Sequence, residues 1–174
     1  MKKRLTFLFA LCIIVAALIA CGESTSNTGS TSAPNGATPA QAAKHFKVGD
    51  TVTVGTAWKV VVNSIVANAG DQFNTPTKGT YIVVDVSLTN ISSQEQTISS
   101  LANFTMRGSD GTEYTEAITG NLAGVNPPPD GKVEAGSPVK GDFVYDVPTT
   151  AKAFTLSFTP DITSAGATIW DLNV

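Results

Sequence analysis

The chain is poor in the residues that carry most enzyme chemistry. Its 174 residues include one histidine, His45, and two cysteines, Cys12 and Cys21. Zinc and copper sites draw on imidazole and sulfur ligands, and beyond the N-terminal segment only His45 and Met106 remain to supply them. Nucleophilic hydrolysis wants a Ser or Cys beside a general base, usually His. No Gly-x-Ser-x-Gly elbow occurs, and His45 reads as a solvated boundary residue. Charge is sparse as well, at 14 %. The basic residues form no stripe, which argues against nucleic acid because phosphate contacts need clustered Lys and Arg. Long i, i+3, i+4 apolar periodicity is missing too, so a helical bundle is excluded.

The longest apolar run lies at the start. Lys2-Lys3-Arg4 precede Leu5–Ile19, a stretch shorter than the roughly 20 residues a comfortable membrane-spanning helix needs. Leu18-Ile19-Ala20-Cys21-Gly22 follows and resembles the bacterial lipobox, with Ile19 in place of the commoner Ala or Ser. The expectation is a signal peptide over residues 1–20, cleaved before Cys21, which becomes the lipid-bearing (palmitate-type) N-terminus. The alternative is an uncleaved anchor helix. Two or more acyl chains hold a protein on a membrane stably where one does not. Loss of Met1–Ala20 removes three of the eleven basic residues and leaves eight against fourteen acidic ones, a net charge of −6. It also leaves no free thiol and no disulfide.

Residues 21–44 form a linker. Gly22 to about Gln41 consists of Ser, Thr, Gly, Asn, Ala and Pro, with too little apolar surface to offset ordering entropy. A flexible segment of about twenty residues spans roughly 25 Å. The composition changes near His45–Asp50, so the folded domain is placed at residues 45–174.

That domain is organised around Gly79–Asn90. Ile82, Val84, Val86 and Leu88 share one side of a two-residue period, and Tyr81, Val83, Asp85, Ser87 and Thr89 the other, increasingly polar towards the end. β-Branched side chains suit a pleated surface, and burying the first four stabilises by roughly 6–12 kcal/mol as an upper bound. Other strands are expected at Thr51–Val54, Trp58–Ala67, Phe104–Arg107, Glu113–Thr115, Val139–Val147, Phe154–Phe158 and Thr168–Val174. In the second of these, Trp58, Val60 and Val62 fall on one face and Val61 and Ile65 on the other. Asp110-Gly111 is a tight hairpin signal. Gly70–Lys78 and Ala117–Val133 read as loops, the latter stiffened by Pro127-Pro128-Pro129. Seven to nine strands without a substantial helix indicate an all-β sandwich, with a closed barrel as the competitor.

Val48-Gly49-Asp50, the Trp58–Ile65 strand, Lys78-Gly79 leading into Tyr81–Asn90, Asp110-Gly111, and Ala135-Gly136 through Gly141 to Phe143–Pro148 follow one pattern. Over about Phe46–Val174 it resembles the immunoglobulin-like domains of unknown function common on bacterial lipoproteins (the family numbered 4352 among such domains). The resemblance implies an immunoglobulin-like sandwich facing the extracytoplasmic side of the cell envelope, and it brings no catalytic residues.

The chemistry to be weighed is modest. Asp142 and Asp146 lie four apart on one strand, on the face opposite Phe143 and Tyr145, and read as a solvent-facing row rather than an acid/base pair. Gly108–Glu113 has a faint likeness to a calcium loop near Asp110, which a hairpin turn explains equally. Trp58, Phe143, Phe158 and Trp170 read as core, whereas Phe73 and Tyr114 sit near turns where they would be exposed. Loops on a rigid sandwich commonly carry binding, so Phe73, Leu122, Val125 and Asn126 are the candidate contacts. Leu122 and Val125 could instead plug the edge of the core. The resulting expectation is a lipid-anchored binding module without cofactor or metal, whose partner is an envelope protein, a polymer or a small solute. A structural envelope domain is the alternative, and an enzyme using surface carboxylates comes third.

Overall fold

Alternating β-branched and aromatic residues between Gly, Pro and Asp turns produce an almost helix-free architecture in the computed structural model, which describes residues 43–160 and 166–174. The leader, Cys21 and nearly all of the linker lie outside the described residues. In chain order the strands are β1 (His45–Lys47), β2 (Thr51–Val54), β3 (Trp58–Asn68), β4 (Thr80–Asn90) and β5 (Gln96–Ile98). A single helical turn, α1 (Ser100–Asn103), is followed by β6 (Phe104–Gly108), β7 (Glu113–Tyr114) and β8 (Gly131–Val133). The chain closes with β9 (Pro138–Val147), β10 (Ala153–Phe158) and β11 (Thr168–Asn173). Each strand expected from the sequence is present. The three-residue strands β1, β5 and β8 bring the count to eleven among the described residues.

Two sheets form the sandwich, ordered β1-β11-β10-β6-β7 and β2-β3-β4-β9, and a small third pair joins β5 to β8. Both large sheets have ends, so this is not a closed barrel. One isolated bridge, Glu116 to Tyr145, ties the chain after β7 to the β9 edge of the other sheet. Inward side chains of both sheets share one core. Phe104 of the first sheet lies 4.5 Å from Phe143 of the second, and its other neighbour Phe158 is 4.6 Å away within its own sheet. Trp58 meets Phe158 edge-on at 6.4 Å, a favoured aromatic geometry. The four aromatics expected in the core (Trp58, Phe143, Phe158 and Trp170) are all buried, as are Ile82, Val84, Val86 and Leu88.

Three expectations need correction. Tyr114 is buried rather than exposed, because the β6–β7 hairpin folds it onto Phe154 with Lys78 over its ring. Val174 lies past the end of β11 and is 38 % exposed. Ile65 belongs to the inner face with Trp58, Val60 and Val62. A β-bulge between Val62 and Ser64 inserts Asn63, so Ile65 pairs with inward-facing Val84 and packs against the core. One extra residue reverses the parity of everything after it. Asn63 itself faces outward, where Nδ2 donates to Asp85 at 2.9 Å and to the Ser87 hydroxyl at 2.8 Å.

Candidate functional site

The long segment between β7 and β8 builds the site. It leaves the β7 edge at the Glu116–Tyr145 bridge, and the Ala117 amide donates to the Val144 carbonyl at 2.7 Å. It then crosses the outer face of β4 and β9. Leu122 is buried there on Tyr81, Val83 and Val144, with Ala117 and Val125 beside it. This second apolar cluster explains why Gly79–Asn90 begins with apolar residues on both faces and ends with one face polar. The return path is held by Asp142, whose Oδ2 accepts from the Asn126 amide at 2.6 Å and from its Nδ2 at 3.0 Å. The proline run then passes the edge at Gly141, where a side chain would collide with the Pro127 carbonyl and the Pro129 ring. Asp130 ends the segment, accepting from the Ser100 amide at 2.5 Å and its hydroxyl at 3.2 Å. A strand edge that would otherwise offer unpaired backbone groups is thereby covered.

The two long loops share one end of the sandwich. Asp71 Oδ1 accepts from the amides of Phe73 and Asn74 at 2.9 and 2.8 Å, and Asp71 Oδ2 accepts from the Ala123 amide of the other loop at 3.3 Å. The Phe73 amide, followed by those of Asn74 and Ala123, outweighs burial and holds the Asp71 carboxyl below the ordinary aspartate range. Asn74 Oδ1 accepts from the Gly120 amide at 3.1 Å. Gly70 adopts φ +83° with the Asn74 carbonyl and Pro76 ring where a side chain would stand, so only glycine fits. Asp146 anchors the same loop from β9, accepting from the Thr77 and Lys78 amides at 2.7 and 3.0 Å.

Between the long segment, the start of α1 and β9 lies a cleft of about 430 Å³. Its apolar side comprises Leu101, Ile118, Val125 and the first two prolines, and Ile118 is 96 % exposed. Its polar side carries Glu116, Asp130 and Asp142. Asp142 is only 5 % exposed. Glu116 Oε2 is buried and has no hydrogen-bond partner among the described residues. Burial pushes the Glu116 carboxyl above the ordinary glutamate range, and the negative charge of Asp130 adds to this against the Ser100 hydroxyl.

The residues singled out by sequence are distributed unevenly around this cleft. Val125 and Asn126 line it, Leu122 lies beneath the segment as an apolar anchor, and Phe73 is 83 % exposed on the neighbouring loop. Asp142 and Asp146 do not form a solvent-facing row, because the two loops fold onto them and supply amide donors. Sequence reasoning missed Glu116, Ile118 and Leu101. Their available signal was weak: a carboxylate and two large apolar residues flanking segments with no period. Elsewhere, both Asp110 oxygens accept from Thr112 within a Gly108–Thr112 turn. The Thr112 amide and hydroxyl hold its carboxyl below the ordinary range. His45 is half-exposed with Nδ1 2.7 Å from Asp171. No group of three or more His, Cys, Asp or Glu among the described residues is arranged to hold a metal ion. No described helix is long and apolar enough to cross a membrane.

Several solved structures share this fold at low sequence identity. The yjhA protein from Bacillus subtilis is 17 % identical with a TM-score of 0.58, over 73 % of this chain and 99 % of that one. A secreted protein of Mycobacterium tuberculosis, MPT63, is 13 % identical with a TM-score of 0.56, over 76 % of this chain and 98 % of its own. The presumed lipoprotein ycdA from B. subtilis is 14 % identical with a TM-score of 0.57, but the match spans only 38 % of its length against 71 % of this chain. No curated protein matches the sequence. Residues 46–169 match the family model for a domain of unknown function, DUF4352, and the chain belongs to that family.

Proposed function

We propose that this protein is a lipid-anchored, extracytoplasmic binding domain whose ligand sits in the cleft beside Glu116 and Ile118. The observation that carries the reading is the cleft itself. Its volume of about 430 Å³ lies within the roughly 300–1,000 Å³ typical of ligand sites, and it combines an apolar wall with a few buried polar groups. Ile118 and Leu101 are 96 % and 61 % exposed at its rim, where they contribute nothing to the core. The lipobox-like Leu18–Gly22 supports anchoring through Cys21, and the lipoprotein and secreted proteins of the same fold are consistent with an envelope location. Binding is favoured over catalysis because no histidine lines the cleft to activate the Ser100 hydroxyl, which instead donates to Asp130 at 3.2 Å.

The test uses the chain without its first twenty residues and with Cys21→Ser, mixed with an extract of its own cell envelope. The double variant Leu101→Ser, Ile118→Ser changes only exposed side chains, so its melting temperature should stay within about 2 °C, as surface substitutions usually do. Captured envelope material should fall at least tenfold. Undiminished capture by the double variant overturns the cleft as the site.

A further inference from the structure

The chemistry of the occupant can be narrowed, on the premise that the cleft binds a ligand. Glu116, Asp130 and Asp142 line it, whereas no Lys, Arg or His does. Lys140, whose ammonium feels the charge of Asp142, pairs with Asp85 at 2.9 Å, and Lys132 Nζ pairs with Glu95 at 2.7 Å. Two of the three carboxylates keep an oxygen that no described residue bonds. Asp142 is 95 % buried, and both donors from Asn126 go to Oδ2, leaving Oδ1 without a partner. Of these two oxygens, Glu116 Oε2 is the one that is itself fully buried. Native structures seldom leave buried polar atoms unpaired, so a missing donor is the simplest account of the Glu116 oxygen. The opposite wall, around Leu101, Ile118 and Val125, offers nothing to a hydrated ion but would cover a hydrocarbon body.

We propose that the cleft takes an organic cation: a protonated amine on an apolar body, its ammonium directed to Glu116 and Asp142 and its body laid against Ile118, Leu101 and Val125. A bare metal ion fits poorly, because the described carboxylates do not converge in a set of three and the apolar wall would be wasted on it. An anion would face the negative charge of the cleft, and a neutral donor could pair with the buried Glu116 oxygen but would leave that charge unbalanced. The volume, about fourteen waters at ~30 Å³ each, suits a body of modest size.

Three probes of matched length separate the possibilities: hexylammonium, 1-hexanol and hexanoate, each titrated into the same Cys21→Ser chain at pH 7 and followed by amide chemical shifts. Hexylammonium should shift the amides of Ala117–Asn121 and Asn126 and bind at least tenfold more tightly than hexanol, with affinity falling as salt rises. Glu116→Gln and Asp142→Asn should each weaken hexylammonium about tenfold and leave hexanol unchanged. Glu116→Gln relieves a buried carboxyl, so its melting temperature should be equal or higher; it carries the test alone if Asp142→Asn fails to fold. Binding of hexanol or hexanoate as tight as hexylammonium overturns the inference, as does the absence of shifts with all three. If envelope capture still depends on Leu101 and Ile118 in either of those cases, only the ligand class falls and the binding site stands.

Discussion

Single polar side chains decide how the loops sit on this sandwich. Asn90 is fully buried at the end of β4, and its Nδ2 donates to the carbonyls of Gln94 and Val133 at 2.7 and 2.9 Å. Its Oδ1 accepts from the Ser92 amide and hydroxyl, so the group is satisfied on every side. Asp146 does the same work with a charge. Burial raises its pKa, but the Thr77 hydroxyl and the Lys78 and Thr77 amides outweigh that and hold the carboxyl below the ordinary aspartate range. A group with a depressed folded-state pKa stabilises above the unfolded value near 3.9, and that contribution is lost as pH falls through the folded value. Asp146→Asn should therefore lower stability by about 1 kcal/mol at pH 7. The gap from the parent should close as pH falls below the ordinary aspartate range and through the depressed folded-state value, measured as denaturant midpoints across the range. A gap of constant size would show that the charge on Asp146 does not matter.

At the scale of elements, β4 is the strand on which both apolar clusters depend. Its inner face supplies Ile82, Val84, Val86 and Leu88 to the main core, and its outer face gives Tyr81 and Val83 to the cluster under Leu122. Val86 is fully buried opposite Gly141. Val86→Asp places an unpaired carboxylate there at a cost of several kcal/mol, comparable to the 5–15 kcal/mol stability of a typical domain. Cooperative thermal unfolding of the isolated domain should be abolished, and a melting curve that hardly moves would remove Val86 from the core. The β7–β8 segment shows how a connection can be structural and lie at a site together. Leu122 holds it down while Glu116, Ile118, Val125 and Asn126 turn to the cleft. Replacing Asn121–Asn126 wholesale would remove the anchor with the contacts, which is why exposed rim residues make the cleaner probe.

At the scale of the whole molecule, the folded part is self-contained. The described residues belong to one compact unit, Gln41–Val174, with its own core. Our reading is that a lipid on Cys21 and the linker after it tether this unit to the membrane. Cys21→Ser in cells should give a precursor that takes up no labelled fatty acid and is no longer processed at Ala20. Continued incorporation of label into that variant would refute the anchor.

Periodicity and turn chemistry are local properties, and they made most of the sandwich legible in the chain. Alternation placed Ile82–Leu88 and Phe154–Phe158 correctly, and Asp110-Gly111 marked its hairpin, because each depends on neighbours a few residues away. Where long-range contacts rule, local pattern failed. The bulge at Asn63 is read only from pairing with β4, and the burial of Tyr114 only from the strand on which it lands. Asp142 and Asp146 look like an exposed row until two loops, fifteen or more residues away in sequence, fold over them. The cleft belongs to this second class. Its carboxylates come from the two ends of the β7–β8 segment and from β9, and its apolar wall from α1 and an unpatterned loop. Residue order determined which segments become strands; only tertiary packing decided which polar groups lost their water, because burial is a property of the assembled surfaces and not of any stretch of chain.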